Sequence, residues 1–141
     1  MKINKGNLWT YPADFKIVTT NGIIKKDGKL VMGAGIALEA KKRYKGIDKW
    51  LGRLVKNHGN HVFLYYNILS FPTKHNWKDK SDLKLIEQSC QEVLTLVNSF
   101  IDKEKTIVLS PVGCGHGGLN FETQVKPLLE KYLDDRFVVL L

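Results

Sequence analysis

Four of the six residues from 113 to 118 are glycine, and the apolar run 106–109 leads straight into them. Glycine loses more backbone freedom on ordering than any other residue, so a cluster this dense is costly. A helix cap needs only one. The segment reads as backbone wrapped around a ligand, at the point where a buried strand gives way to a loop. A second stretch is similar in character. Glycines at 22, 28, 33 and 35 separate residues 15–20, a β-branched strand pattern stopped by Asn21-Gly22, from the helix formers of 36–44. Gly33 and Gly35 stand directly before that helix, where unpaired N–H groups and the positive dipole end favour an anion. A tight turn would ask for the same residues, so this pair taken alone leaves both readings open.

The rest of the chain supplies the scaffold. Ile47, Trp50, Leu51, Leu54 and Val55 recur at helical spacing and predict a second helix with Trp50 in its core-facing stripe. Runs 62–66 and 68–71 are apolar on both faces, which suits central strands covered by helices on either side, and Pro72 ends the second. Ser81 is expected to cap the longest helix, with Asp82 in its first turn. Leu83, Ile86, Cys90, Val93, Leu94, Val97 and Ile101 then share one face. Asn120 is placed to cap a further helix carrying Val125, Leu128, Leu129 and Tyr132, which Pro127 kinks or delays. Residues 137–141 make a last strand. Strands alternating with helices predict a three-layer α/β/α sandwich around a mixed, largely parallel sheet, as a single domain over residues 1–141. Ligands of such sheets lie beyond the carboxyl ends of the strands, where these two glycine loops would gather.

Composition narrows the classes. With 43% hydrophobic and 26% charged residues, wholesale disorder is excluded. Twenty-two Lys+Arg against 14 Asp+Glu give a net charge of +8, which favours an anionic partner (phosphate, nucleic acid or acidic lipid) without naming it. Cys90 and Cys114 form no C-x-x-C pair, and reduced thiols in a cytoplasmic protein explain them best. His58 and His61 flank Gly59-Asn60 and read as loop residues; no metal and no cofactor is expected. Residues 1–7 are too polar for a signal peptide, and no apolar run is long enough to span a bilayer, so a membrane association is not expected. Neither glycine loop leads into G-K-[ST], and the first lacks G-x-G-x-x-G spacing. A P-loop NTPase and a Rossmann dehydrogenase are both disfavoured.

Taken together, Lys5-Gly6-Asn7-Leu8, Thr20-Asn21-Gly22, Val31-Met32-Gly33-Ala34-Gly35-Ile36-Ala37, Phe71-Pro72-Thr73-Lys74-His75-Asn76-Trp77, Lys80-Ser81 and Gly113-Cys114-Gly115-His116-Gly117-Gly118-Leu119-Asn120-Phe121 carry a resemblance. In this order they resemble the macrodomains, ADP-ribose-binding α/β/α modules, over nearly the whole chain. The third of these segments is most similar to the branch holding the DNA ADP-ribosyl glycohydrolase antitoxins, with the terminal ADP-ribose glycohydrolases among its relatives. The resemblance implies an ADP-ribose site built from Asn7, Leu8, Thr20, Asn21, Met32, Gly33, Ala34, Gly35, Ile36, Pro111, Gly113, Cys114, Gly115, His116, Gly117, Gly118 and Leu119. Within it, Asn21 would sit beside the distal ribose, with a side-chain amide able both to donate and to accept. Residues 33–36 would line the diphosphate and distal ribose, 113–119 would close over the phosphates, and Leu8 would lie by the adenine.

The resemblance also implies three catalytic candidates: Lys74, Asn21 and His116. Lys74 matches the lysine tied to glycohydrolase activity in this branch, where it would attack C1'' or stabilise the bond being broken. One departure stands out: the protein-directed glycohydrolases carry an aspartate where this chain has Gly117. His116 can supply acid or base chemistry near neutral pH, or only cap backbone. Cys114 has no evident base partner and reads as a packed thiol. Trp77 and Tyr66 are open between stacking on a base and packing. The expectation is an ADP-ribosyl glycohydrolase, acting as a monomer on ADP-ribose-bearing substrates with nucleic acid among the acceptors. The alternatives are an ADP-ribose-1''-phosphate phosphatase and a reader that binds without turnover.

Overall fold

A computed structural model describes residues 1–141. Six strands form one sheet: β1 (Lys2–Asn4), β2 (Phe15–Thr20), β3 (Leu64–Tyr65), β4 (Ile68–Pro72), β5 (Ile107–Leu109) and β6 (Phe137–Leu140). Their spatial order is β1-β6-β5-β2-β4-β3, parallel at every pairing except β3 with β4. Four α-helices complete the fold: α1 (Gly35–Arg43), α2 (Ile47–His58), α3 (Leu83–Phe100) and α4 (Lys126–Tyr132). None is long and apolar enough to cross a membrane.

Successive strand residues face opposite sides, and that alternation divides the core. Ile17, Leu69, Phe71, Ile107, Leu109, Phe137 and Val139 pack with Ile86, Cys90, Val93 and Val97 of α3 and Leu129 of α4. Val18 and Ile68 look the other way, onto Ala40 of α1 and Ile47, Leu51 and Val55 of α2. Helices thus cover both faces, as the apolar runs require.

Some local expectations give way. Residues 62–66 do not form a central strand. Only Leu64–Tyr65 pair, at the sheet edge, and Tyr65 opposite Ile68 leaves a hairpin loop of Tyr66 and Asn67. Tyr66 takes φ 52° there and is 77% exposed. Such a turn usually announces itself by Asn-Gly, which this chain lacks at the position. Trp50 is 42% exposed rather than core, on the flank of the stripe that Ile47, Leu51 and Val55 bury, with its ring tilted against Tyr65. The α3 cap is Asp82, whose side chain accepts from the Lys84 amide, and not Ser81. Asn120 does cap, accepting from the Thr123 amide, but over a π-helical turn at Phe121–Val125; α4 begins beside Pro127. The short edge strand β1 had no signal, its three residues being exposed.

Three adjacent parallel strands, β5, β2 and β4, end on the same side of the sheet. The carboxyl end of β2 therefore delivers Asn21, that of β4 delivers Thr73 and Lys74, and that of β5 delivers the second glycine loop. All three arrive at one place.

Candidate functional site

That place is a cavity of about 1010 Å³, lined among others by Thr20, Asn21, residues 31–37, Thr73, Lys74, residues 77–81 and residues 110–117. The two glycine loops both line it and approach each other at Gly35, where an added Cβ would lie 3.6 Å from the His116 ring. At Gly33 or Gly115 an added Cβ would meet nothing within 4 Å, so glycine there borders open space instead of relieving crowding. None of the amides of Gly33, Gly35, Ile36, Gly115, His116 and Gly117 donates to a backbone carbonyl. The α1 amides are orphaned by the helix start itself, since its cap Ala34 has no side-chain acceptor and its first turn no acidic residue. Two loops of unpaired donors around an open space make an anion receptor.

The loops are held from behind. Asn21 is 8% exposed; its Nδ2 donates to the Val31 carbonyl at 2.9 Å and its Oδ1 accepts from the Ile23 amide at 2.9 Å, so it closes the first loop on itself. Gly52 lets α2 press on the turn at 28–30, where an added Cβ would run into the Gly28 carbonyl and the Leu30 amide. Gly113 at φ 75° opens the second loop, and Leu119 returns to it through its amide at 3.1 Å. Gly117 is walled in: a Cβ would collide with Ser81 Oγ and the Gly113 carbonyl. The aspartate of the protein-directed enzymes does not fit this loop as it stands. Ser81 Oγ is buried there without a hydrogen-bond partner.

Lys74 joins the two sides. Asn60 Nδ2 holds its carbonyl at 3.0 Å, and the Gly22 amide holds the next carbonyl, of His75, at 3.1 Å. Its ammonium reaches the carbonyls of Trp77 at 3.4 Å and His116 at 3.5 Å. An ammonium has three donors, so one remains for a ligand. His75 Nε2 lies 3.0 Å from Asp82, and that hydrogen bond holds the Asp82 carboxyl below its ordinary value. Burial pushes the Cys114 thiol up, and its Sγ faces the Val112 carbonyl at 3.4 Å, in line with a packed role.

No protein-family model matches the chain. The "Macrodomain of Thermus aquaticus DarG" superposes with a TM-score of 0.81 at 23% identity, covering 99% of this chain and 95% of that one. "Thermosipho africanus DarTG in complex with ADP-ribose" superposes at 0.82 and 22% identity, over 98% of this chain and 40% of that one. The chain has the macrodomain fold. In sequence, it is 26% identical over 146 aligned positions, 95% of its length, to a protein of Thermus aquaticus named DNA ADP-ribosyl glycohydrolase. It spans 38% of that relative's length.

Within this fold, Thr20, Asn21, Met32, Gly33, Ala34, Gly35, Ile36, Lys74, Pro111, Gly113, Cys114, Gly115, His116 and Gly117 all line the cavity. Asn7, Leu8, Gly118 and Leu119 do not. Leu8 is buried with Val108, Val138 and Leu140 under the sheet, and the Asn7 side chain accepts from the Trp9 amide to fix the turn after β1. Sequence reasoning missed Asn60 and Gly52, which brace the site. Asn60 sits between two histidines in a helix-strand junction, and nothing local marks it as the residue that holds Lys74.

Proposed function

We propose that this chain binds ADP-ribose between its two glycine loops and hydrolyses the bond from C1'' of the distal ribose to an acceptor, with DNA as the acceptor class. One observation carries the reading: unpaired amides on both loops ring one cavity, and the Lys74 ammonium stands among them. The amides of residues 33–36 and 115–117 would take the diphosphate, with dipole and backbone donors replacing lysines. Asn21 has a second N–H free for a ribose hydroxyl. Hydrolysis adds water across the C1''–acceptor bond: the hydroxyl stays on C1'', the proton goes to the acceptor, and ADP-ribose leaves. Lys74 would act at C1'' or on the departing group, and His116, exposed over Gly35, would shuttle the proton. The name of the Thermus aquaticus relative supports both the activity and the DNA acceptor. A cavity completed within one chain supports action as a monomer, and two free thiols suit an intracellular setting.

A reader that binds without turnover is the second reading, favoured by Gly117, which leaves the loop without a carboxylate. Incubation with ADP-ribosylated DNA, ADP-ribosylated protein and ADP-ribose-1''-phosphate separates these. Release of ADP-ribose from DNA supports the proposal. Tight binding with no substrate consumed establishes the reader, and dephosphorylation of the third substrate establishes a phosphatase.

A further inference from the structure

Lys74 leaves the sheet on a stretch of chain whose carbonyls are all taken. The Pro72 carbonyl accepts from Ser89 Oγ at 2.7 Å, that of Thr73 from the Asp82 amide at 2.9 Å, and that of His75 from the Gly22 amide at 3.1 Å. The Lys74 carbonyl depends on an amide side chain, Asn60 Nδ2 at 3.0 Å. That side chain is wedged between two strand ends. A Cβ at Gly22, after β2, would lie 3.1 Å from Asn60 Nδ2 and 3.2 Å from the His75 carbonyl, after β4. Asn60 Oδ1 is buried with no hydrogen-bond partner. Burying an unpaired acceptor costs stability, so folding alone gives little reason for an asparagine here. The reason lies with its donor, which meets Lys74.

Asn60 is itself anchored. Its turn closes α2 at Gly59, φ 94°, and one carboxylate fastens the turn to α3: Glu92 Oε1 accepts from the Val62 amide at 2.9 Å, and Oε2 lies 2.8 Å from His61 Nδ1. Gln88 Nε2 donates to the same Oε2 at 2.8 Å. Neither Asn60 nor Glu92 lines the cavity, so their route to the reacting bond runs through the Lys74 peptide. A lysine carries its ammonium on a flexible four-carbon stem. Here the only contacts on that ammonium are long, 3.4 Å to the Trp77 carbonyl and 3.5 Å to that of His116. Its aim therefore depends on where the main chain starts the stem.

We infer that Asn60 is a positioning residue for Lys74, braced by Glu92 from α3: it fixes the peptide from which the ammonium reaches C1'' and does not touch the ligand. The inference rests on the reading of Lys74 as the group acting at C1'', and adds what keeps that group on target.

The test measures single-turnover release of ADP-ribose from ADP-ribosylated DNA alongside Kd for ADP-ribose. Asn60→Leu keeps the size of the side chain and loses the donor. It should slow release about ten- to a hundredfold and leave Kd within about threefold of wild type. Glu92→Ala should slow release about threefold at unchanged Kd, and it carries the test where loss of the buried amide unfolds the chain. In a Lys74→Ala background Asn60→Leu should cause no further loss, because residues acting through one ammonium are not additive. Wild-type release by the folded Asn60→Leu and Glu92→Ala variants, with Lys74→Ala slow, would overturn the inference. So would a Kd that weakens as much as the rate, or a loss in the double variant that adds in full to that of Lys74→Ala. Wild-type release by Lys74→Ala would instead overturn the reading of Lys74 on which the inference stands.

Discussion

The two ends of the sheet carry depressions of similar size and opposite character. At the carboxyl ends of the strands lies the cavity of about 1010 Å³. At their amino ends lies another, of about 840 Å³, walled by Lys2, Asn98, Lys105, Thr106, Asp134 and Arg136, with a few neighbours. There several of the polar groups satisfy one another. Arg136 grips Asp134 through Nε and Nη2 at 2.7–3.1 Å and reaches Asn98 at 2.8 Å, while Asp14 takes the Thr106 amide at 2.9 Å. The terminal ammonium pairs with Asp135. Only Arg136 Nη1 is left buried without a partner. At the other end, six main-chain amides of the two glycine loops have no acceptor. Volume does not make a binding site; unspent hydrogen-bonding capacity does.

That contrast can be broken at each end. Lys74→Ala should slow release of ADP-ribose from modified DNA by about a hundredfold or more in single-turnover assays, with the melting temperature little changed. A variant that turns over at the wild-type rate removes Lys74 from the chemistry. Gly33→Leu places a side chain in the open space and should weaken ADP-ribose binding tenfold or more, about 1.4 kcal/mol, by calorimetry, while costing the fold about 0.5 kcal/mol at most. Arg136→Ala reverses the pattern. It should cost about 1–2 kcal/mol of stability by urea unfolding and leave ADP-ribose affinity and turnover as they are. Should Arg136→Ala weaken the ligand and Gly33→Leu spare it, the two ends have been assigned the wrong way round.

The smallest effect is on acid stability. Arg136 holds the Asp134 carboxyl below its ordinary value, and His75 does the same for Asp82. A carboxyl depressed in the folded state binds its proton more readily when unfolded, so its stabilisation is complete above the unfolded pKa of about 3.9. It is lost as pH falls from there through the folded value. Thermal melts from pH 6 to pH 2 should show a decline beginning near 4, shallower in Asp134→Asn. An unchanged acid limb in that variant would show the pair to be solvent-screened.

The sheet, its helices and the meeting of the glycine loops were legible because they rest on period and on glycine density. Ile17 and Val18, or Ile68 and Leu69, divide between two cores by strand alternation alone. What escaped depends on tertiary placement. Trp50 fits the helical stripe, yet lies half-exposed on its flank against Tyr65 of the edge strand; Tyr66 turns a hairpin without the usual residues. In the site, residues 33 and 115 are glycine to leave room, whereas Gly52 and Gly117 are glycine because backbone or side chain occupies the place of a Cβ. Composition counts both kinds alike.

The central claim is that main-chain amides of both glycine loops hold one anionic ligand, and a ¹H–¹⁵N correlation spectrum recorded during titration with ADP-ribose tests it residue by residue. The amides of Gly33, Gly35, Ile36, Gly115, His116 and Gly117 should shift together along one 1:1 isotherm, with those of Thr106 and Arg136 at rest. Movement at Thr106 and Arg136 with the loops still, or at one loop without the other, would contradict it.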